Sequence, residues 1–139
     1  MKRKIVIDTN VIVSSLIQLS YPYKIIHDQF LEDKFQLCMS KQLLMEYFEV
    51  LSRPKFAQFT DFFVRAESLL LKIEEKAMYY TPSLKLEIID DNDDNKILEL
   101  ADASNADVII TGNTKDFTIS HYKSTRILTP KQYWDDFGE

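Results

Sequence analysis

Short apolar runs alternate with longer stretches of helical periodicity, and this alternation restricts the possible folds of the chain more than any other feature. Residues 5–7, 35–39, 108–110 and 126–128 are the strand candidates. The segments between them are too long for hairpins and carry apolar residues at helical spacing. Strands connected by helices form mainly parallel sheets with both faces covered. The sequence therefore predicts the α/β class.

Capping residues and prolines predict where the helices begin and end. Ser40 is a candidate N-cap for a helix that runs to about Arg53, and Pro54 follows it. A further helix should run from Thr60 to about Tyr80. Its inward candidates are Phe63, Leu70, Ile73 and Ala77. The other predicted boundaries are Pro22 at a helix start, Asn105 as a left-handed C-cap, and Thr129–Pro130 at the start of the last helix.

Composition excludes several classes of protein. The chain has 139 residues, a net charge of −5 and no linker, so we predict a single domain over 1–139. Its two glycines, Gly112 and Gly138, permit neither a dinucleotide-binding nor a Walker motif. One cysteine and two distant histidines do not make a zinc site. No apolar run is long enough for a membrane span, and we expect a cytoplasmic protein with no membrane partner.

Acidic residues recur where functional residues of an α/β sheet are found. Asp8 ends the first strand, Asp94 begins the helix before strand 108–110, and Asp116 follows that strand. The carboxyl ends of parallel strands form the functional crevice of such sheets. Glu46 shares a helical stripe with Leu43 and Val50, so it should point inward.

Each of these acids has an ordinary structural alternative. Asp8 could serve only as a turn residue and helix cap, and Asp94 could only stabilise a helix start while Asp90, Asp91 or Asp93 acts instead. Asp116 could be solvated in its loop, and Glu46 could be partly exposed. Taken together, carboxylates without histidine or cysteine suit Mg²⁺ or Mn²⁺. The chemistry that follows is metal-assisted phosphodiester hydrolysis.

The order of these motifs resembles the PIN-domain nucleases, and within them the toxin components of toxin–antitoxin systems similar to VapC. The resemblance covers nearly the whole chain. It is carried by Ile-Val-Ile-Asp-Thr-Asn-Val at 5–11, Glu46 and the Glu-Val-Leu-Ser-Arg-Pro-Lys-Phe run at 49–56, Asp-Asn-Asp-Asp-Asn-Lys-Ile-Leu-Glu-Leu-Ala at 91–101, Asp-Val-Ile-Ile-Thr-Gly-Asn at 107–113, Asp116-Phe117, and Ile-Leu-Thr-Pro at 127–130.

The resemblance implies a three-layer α/β/α sandwich and an Mg²⁺- or Mn²⁺-dependent ribonuclease. By position, the catalytic acids would be Asp8, Glu46, Asp94 and Asp116. Asp8 and Asp94 would bind the metal ion directly, and Asp116 would bind the same ion or a water molecule bound to it. Glu46 would position water or support a ligand. The supporting polar residues would be Asn10, Thr111 and Asn113. Members of this branch often carry an aspartate at the position of Asn113, so one ligand of a second metal ion would be neutral here.

RNA contacts and protein partners are further expectations. Lys115, Lys96 and Arg53 are the candidate phosphate contacts. The resemblance implies a cognate antitoxin and a homodimer. Most of the aromatic residues along the middle helices should lie in the core, and a protruding part of this aromatic cluster could form a dimer face or stack on bases. The cluster consists of Tyr47, Phe48, Phe56, Phe59, Phe62 and Phe63. Four of the acidic charges belong to the proposed site, so the rest of the chain is close to neutral. RNA binding should therefore require the divalent ion.

Three other functions compete with the ribonuclease. A haloacid-dehalogenase-type phosphohydrolase needs a second carboxylate where Asn10 stands, and a phosphoacceptor receiver needs an aspartate where the second strand ends in Cys38-Met39-Ser40. The third alternative is a PIN-like binding module with weak or no cleavage.

Overall fold

The computed structural model confirms an α/β protein built on a six-stranded sheet, and it describes residues 2–83, 85, 92–112 and 119–138, without the side chains of 92–94. The strands are β1 (Arg3–Ile7), β2 (Phe35–Met39), β3 (Met78–Tyr79), β4 (Val108–Ile110), β5 (His121–Tyr122) and β6 (Thr125–Leu128). The helices are α1 (Thr9–Ile17), α2 (Tyr21–Lys24), α3 (Lys41–Leu51), α4 (Phe62–Lys76), α5 (Asn92–Ser104) and α6 (Pro130–Phe137). A π-helical segment (Ile25–Phe30) continues α2, and a 3₁₀ segment (Pro54–Gln58) follows α3.

The strands lie in the order β3-β2-β1-β4-β6-β5, and every pairing except that of β5 with β6 is parallel. From β1, the chain first extends the sheet through β2 and β3, then returns to place β4 on the other side of β1. The sheet thus has its topological switch point between β1 and β4, where ligands bind in open parallel sheets.

Helices cover both faces of the central strands. Ile5, Val6 and Ile7 are all fully buried, and consecutive strand residues point to opposite faces, so β1 is buried on both sides. Helices α1, α3 and α4 pack on one another, and α5 packs on β1, β2 and β4. None of the described helices is both long enough and apolar enough to cross a lipid bilayer.

The predicted capping residues behave as expected. Ser40 Oγ accepts a hydrogen bond of 3.1 Å from the backbone N–H of Leu43 at the start of α3. Thr129 and Gln132 form a capping box at the start of α6, with Pro130 in its first turn. Asn105 has a φ of 52° after α5, so the predicted left-handed conformation is confirmed.

Three details of the predicted architecture are wrong. Helix α4 ends at Lys76 rather than near Tyr80, because Met78–Tyr79 pairs with β2 as the edge strand β3. Phe63 is 41% exposed, and Phe62 takes the inward position. Although no hairpin was predicted, β5 and β6 form one, in which Lys123 adopts a φ of 51°.

Candidate active site

Asp8 lies at the carboxyl end of β1, directly at the switch point of the sheet. Its backbone N–H donates to Ile110 O at 2.9 Å, which extends the pairing with β4 by one residue. Asp8 is only 7% exposed, and its carboxylate Oδ2 accepts a hydrogen bond of 2.8 Å from Thr111 Oγ1. The first acid predicted from sequence therefore joins the ends of the two central strands.

Asp8 occupies the N-cap position of α1, but its side chain does not cap that helix. Its carboxylate instead faces Thr111, which follows β4 and is itself fully buried. Burying a carboxylate costs free energy that a helix cap at the surface would not require. Helix capping alone therefore does not explain why an aspartate stands here.

Glu46 reaches the same region from the second turn of α3. Its side chain is half-buried, and Oε2 accepts a hydrogen bond from the hydroxyl of Thr9, the residue after Asp8. The hydrogen bond directs Glu46 toward α1, as the helical stripe predicts, but the side chain is also partly exposed, as its structural alternative allows. The sequence does not predict Thr9 as the partner, because threonine is also common in turns and at helix starts.

Tyr47, the next residue of α3, lies beneath these carboxylates. It is 0% exposed, and its hydroxyl donates to the backbone carbonyl of Ile7. Burial, followed by the charges of Asp8 and Glu46, raises the pKa of Tyr47 well above its usual value. The hydroxyl is therefore neutral and remains a donor. Sequence analysis had placed Tyr47 only in the aromatic cluster.

A pocket of about 70 Å³ lies beside Glu46. It is lined by Ser40, Gln42, Leu43, Glu46 and Lys96. Lys96 is exposed on α5, so the pocket brings the beginning of α5 next to the beginning of α3. Asp94 belongs to the first turn of α5, two residues before Lys96; its side chain lies outside the described residues.

The remaining predicted site residues either have exposed side chains or lie outside the residues that the structure describes. Asn10 has an exposed side chain in the first turn of α1, and Arg53 forms an exposed ion pair of 2.9 Å with Glu49. Asn113, Lys115 and Asp116 lie outside the described residues. Within the described side chains, no three acids, histidines or cysteines form a metal-binding group. Two oxygen donors, from Asp8 and Glu46, are consistent in chemistry with Mg²⁺ or Mn²⁺.

Comparisons with known proteins show the family and the fold of this chain. The family model described as "PIN domain" matches residues 4–115. The uncharacterized protein MJ1680 of Methanocaldococcus jannaschii is 30% identical over 146 aligned residues, which cover 98% of this chain and 92% of that protein. A chain in the crystal structure of VapBC2 from Rickettsia felis bound to a DNA fragment from their promoter superimposes with a TM-score of 0.57 and 17% identity, covering 91% of this chain and 98% of that chain.

The structural likeness, at 17% identity, concerns the fold. The family match is a match of sequence as well as of fold. It includes Asp8 and Thr111 at the ends of two strands, and the two helices that carry Glu46 and Asp94. Together with the 30% identity of the archaeal relative over almost the entire chain, it shows that this chain belongs to the PIN domain family.

Proposed function

We propose that this protein is a divalent-metal-dependent ribonuclease that hydrolyses RNA phosphodiester bonds, with Asp8 as its principal acid. PIN domains are nucleases, so family membership supports hydrolysis of nucleic acid. The observation that carries the proposal is the Asp8 carboxylate, which is buried at the switch point and hydrogen-bonded to Thr111 rather than capping α1. RNA as the substrate is our inference.

The donor chemistry fits a hard divalent ion. Asp8 would bind Mg²⁺ or Mn²⁺ directly, and we assign Asp94 and Asp116 as the further ligands. When bound, the ion lowers the pKa of a water molecule and stabilises the charge of the phosphate that is attacked. Glu46 is half-exposed and held by Thr9, so it would orient that water and accept its proton. Lys96, beside Glu46, would contact a phosphate of the RNA.

The function is tested by incubating the protein with single-stranded RNA, folded RNA and a phosphomonoester, each with Mg²⁺, Mn²⁺ or EDTA. We expect RNA cleavage with either metal ion and none with EDTA. Turnover of the phosphomonoester alone would instead indicate a phosphohydrolase. RNA binding without cleavage in both metals would contradict the proposed nuclease and indicate a binding module.

We also propose a cognate antitoxin partner. The structurally similar protein is part of a VapBC2 complex from Rickettsia felis, crystallised with promoter DNA. A toxin of this kind would be expressed with its inhibitor from neighbouring genes. Co-expression with the product of the adjacent small gene should therefore yield a stable complex that no longer cuts RNA. If every adjacent small gene product leaves cleavage unchanged, the antitoxin proposal is wrong.

The surface between α3 and α4 suits a homodimer. Phe48 and Phe63 are 40% and 41% exposed there, beside a groove of about 430 Å³. Among the described residues that line this groove, Glu67 is the only charged one, and Arg53, two residues after α3, forms an ion pair with Glu49. An RNA backbone or a charged peptide would find little opposite charge on this surface. An isologous interface brings identical surfaces together, so a nearly neutral apolar surface favours a second copy of the chain.

We predict that Phe48→Glu converts a dimer into a monomer. The change introduces a charge into the apolar interface, where burial without a partner costs several kcal/mol. Sedimentation velocity should show the mass of a dimer for the wild type and of a monomer for the variant. Leu19→Glu is the matched control, because Leu19 is exposed between α1 and α2, and it should remain dimeric. A monomeric wild type would contradict this interface.

A further inference from the structure

Two consecutive residues of α3 form hydrogen bonds with the two residues that flank Asp8. Glu46 accepts a hydrogen bond from the side chain of Thr9, after Asp8. Tyr47 donates to the backbone carbonyl of Ile7, before Asp8. Helix α3 is therefore attached to the end of β1 on both sides of the proposed catalytic acid.

The contact of Tyr47 acts on one particular peptide group. The carbonyl of Ile7 and the N–H of Asp8 belong to the same planar peptide unit. The carbonyl accepts from Tyr47, while the N–H donates to Ile110 O at 2.9 Å. Because both polar groups are hydrogen-bonded, rotation of the plane about its axis would break one or both of these bonds. Its orientation sets the direction in which the Asp8 side chain leaves the backbone.

The hydrogen bond of the Tyr47 hydroxyl can be removed without changing the packing of its ring. Tyr47 is fully buried, and phenylalanine would fill nearly the same volume. Without the hydroxyl, the Ile7 carbonyl loses a donor in a buried environment, while the bond from Asp8 N–H to Ile110 O remains. The Asp8 carboxylate would then sample directions that do not match the reacting geometry, where small displacements greatly reduce rates.

We propose that the Tyr47 hydroxyl is a positioning group that directs the Asp8 carboxylate by fixing the peptide plane between Ile7 and Asp8. This proposal rests on the proposed catalytic role of Asp8. Tyr47 does not touch the substrate, so removing its hydroxyl should reduce kcat while leaving the binding of RNA unchanged.

The chain contains a matched control for this substitution. Tyr133 of α6 is also 0% exposed, and its hydroxyl donates to Gln29 Oε1 at 2.6 Å. It also accepts from Arg3, which begins β1 at the end opposite Asp8. Tyr133→Phe and Tyr47→Phe therefore remove the same kind of buried hydrogen bond, but only Tyr47 lies beside Asp8.

The test compares the wild type, Tyr47→Phe and Tyr133→Phe in Mn²⁺. We expect both variants to lose a few degrees of Tm. The kcat for RNA cleavage should fall at least about tenfold in Tyr47→Phe, with KM changed less than about twofold, whereas Tyr133→Phe should keep both values. Equal losses of kcat in the two variants, or an unchanged kcat in Tyr47→Phe, would overturn the positioning role. So would a Tyr47→Phe chain that fails to fold while Tyr133→Phe folds.

A second measurement separates this proposal from the nuclease assignment. Amide hydrogen exchange reports on the N–H of Asp8 without any substrate or metal. This N–H should exchange faster in Tyr47→Phe and at the wild-type rate in Tyr133→Phe. If the wild type cuts no RNA but this difference appears, the nuclease function fails while the fixed peptide plane stands. If the Asp8 N–H exchanges equally in all three proteins, the proposal is wrong whatever the activity.

Discussion

Asp8→Asn should reduce RNA cleavage at least about 100-fold while leaving the protein folded. Asparagine keeps an oxygen that can accept the hydrogen bond from Thr111, and it has nearly the same volume. The change removes the negative charge that, in the proposed mechanism, binds the divalent ion. Single-turnover cleavage rates in Mn²⁺, with circular dichroism as a check of folding, measure the effect.

The same substitution distinguishes the catalytic acid from a helix cap. Asparagine caps helices about as well as aspartate, so a capping role predicts no loss of activity. Thr111→Val is the companion variant, since it keeps the carboxylate and removes only the hydroxyl that orients it. We expect its cleavage rate to lie between those of the wild type and Asp8→Asn. An Asp8→Asn variant that retains a tenth or more of the wild-type rate would show that the chemistry does not need this carboxylate.

The central strands could be predicted because their sequence pattern has one interpretation. The predicted strands at 35–39 and 108–110 agree with β2 and β4 at both ends. Strand β4 is continuously apolar, as expected for a parallel strand buried on both faces, and in β2 the apolar run is interrupted at Gln36. The helix boundaries at Ser40 and Asn105 were equally predictable. In each case a local backbone requirement restricts the choice of residue.

The errors arose where local patterns are ambiguous. The apolar run at 77–80 continues the helical pattern of α4, and only the pairing of Met78 and Tyr79 with β2 makes it a strand. Phe62 and Phe63 differ by one helical position, so the sequence does not specify which one faces the core. The turn between β5 and β6 has Lys123 at positive φ, without the glycine or asparagine that would signal a hairpin.

At the candidate site, the positions of Asp8, Thr111 and Glu46 could be predicted from the sequence, but most of their contacts could not. The strand exits placed Asp8 beside Thr111 because adjacent parallel strands end at the same edge. The hydrogen bond between Thr9 and Glu46 depends instead on how α3 packs against α1, which no local pattern encodes. The attachment of Tyr47 to Ile7 has the same tertiary origin.

RNA binding should depend on the divalent ion, because the protein has a net charge of −5 and its proposed site carries carboxylates. Without metal, these carboxylates repel the phosphates that the site must receive. Stopped-flow fluorescence anisotropy records association before cleavage. We expect Mn²⁺ to tighten RNA binding by wild-type protein at least about tenfold relative to EDTA.

Asp8→Asn should make RNA binding less dependent on the divalent ion. Removing one buried negative charge should tighten RNA binding in EDTA by about threefold, and it should also reduce the gain that Mn²⁺ produces. Glu32→Gln is the control, because it also removes one negative charge. Glu32 lies in the exposed turn before β2, at the amino ends of the parallel strands, whereas Asp8 lies at their carboxyl ends. The Glu32→Gln variant should therefore bind RNA like the wild type in both conditions. Equal effects of the two substitutions would mean that net charge, rather than the carboxylate at the switch point, governs RNA binding.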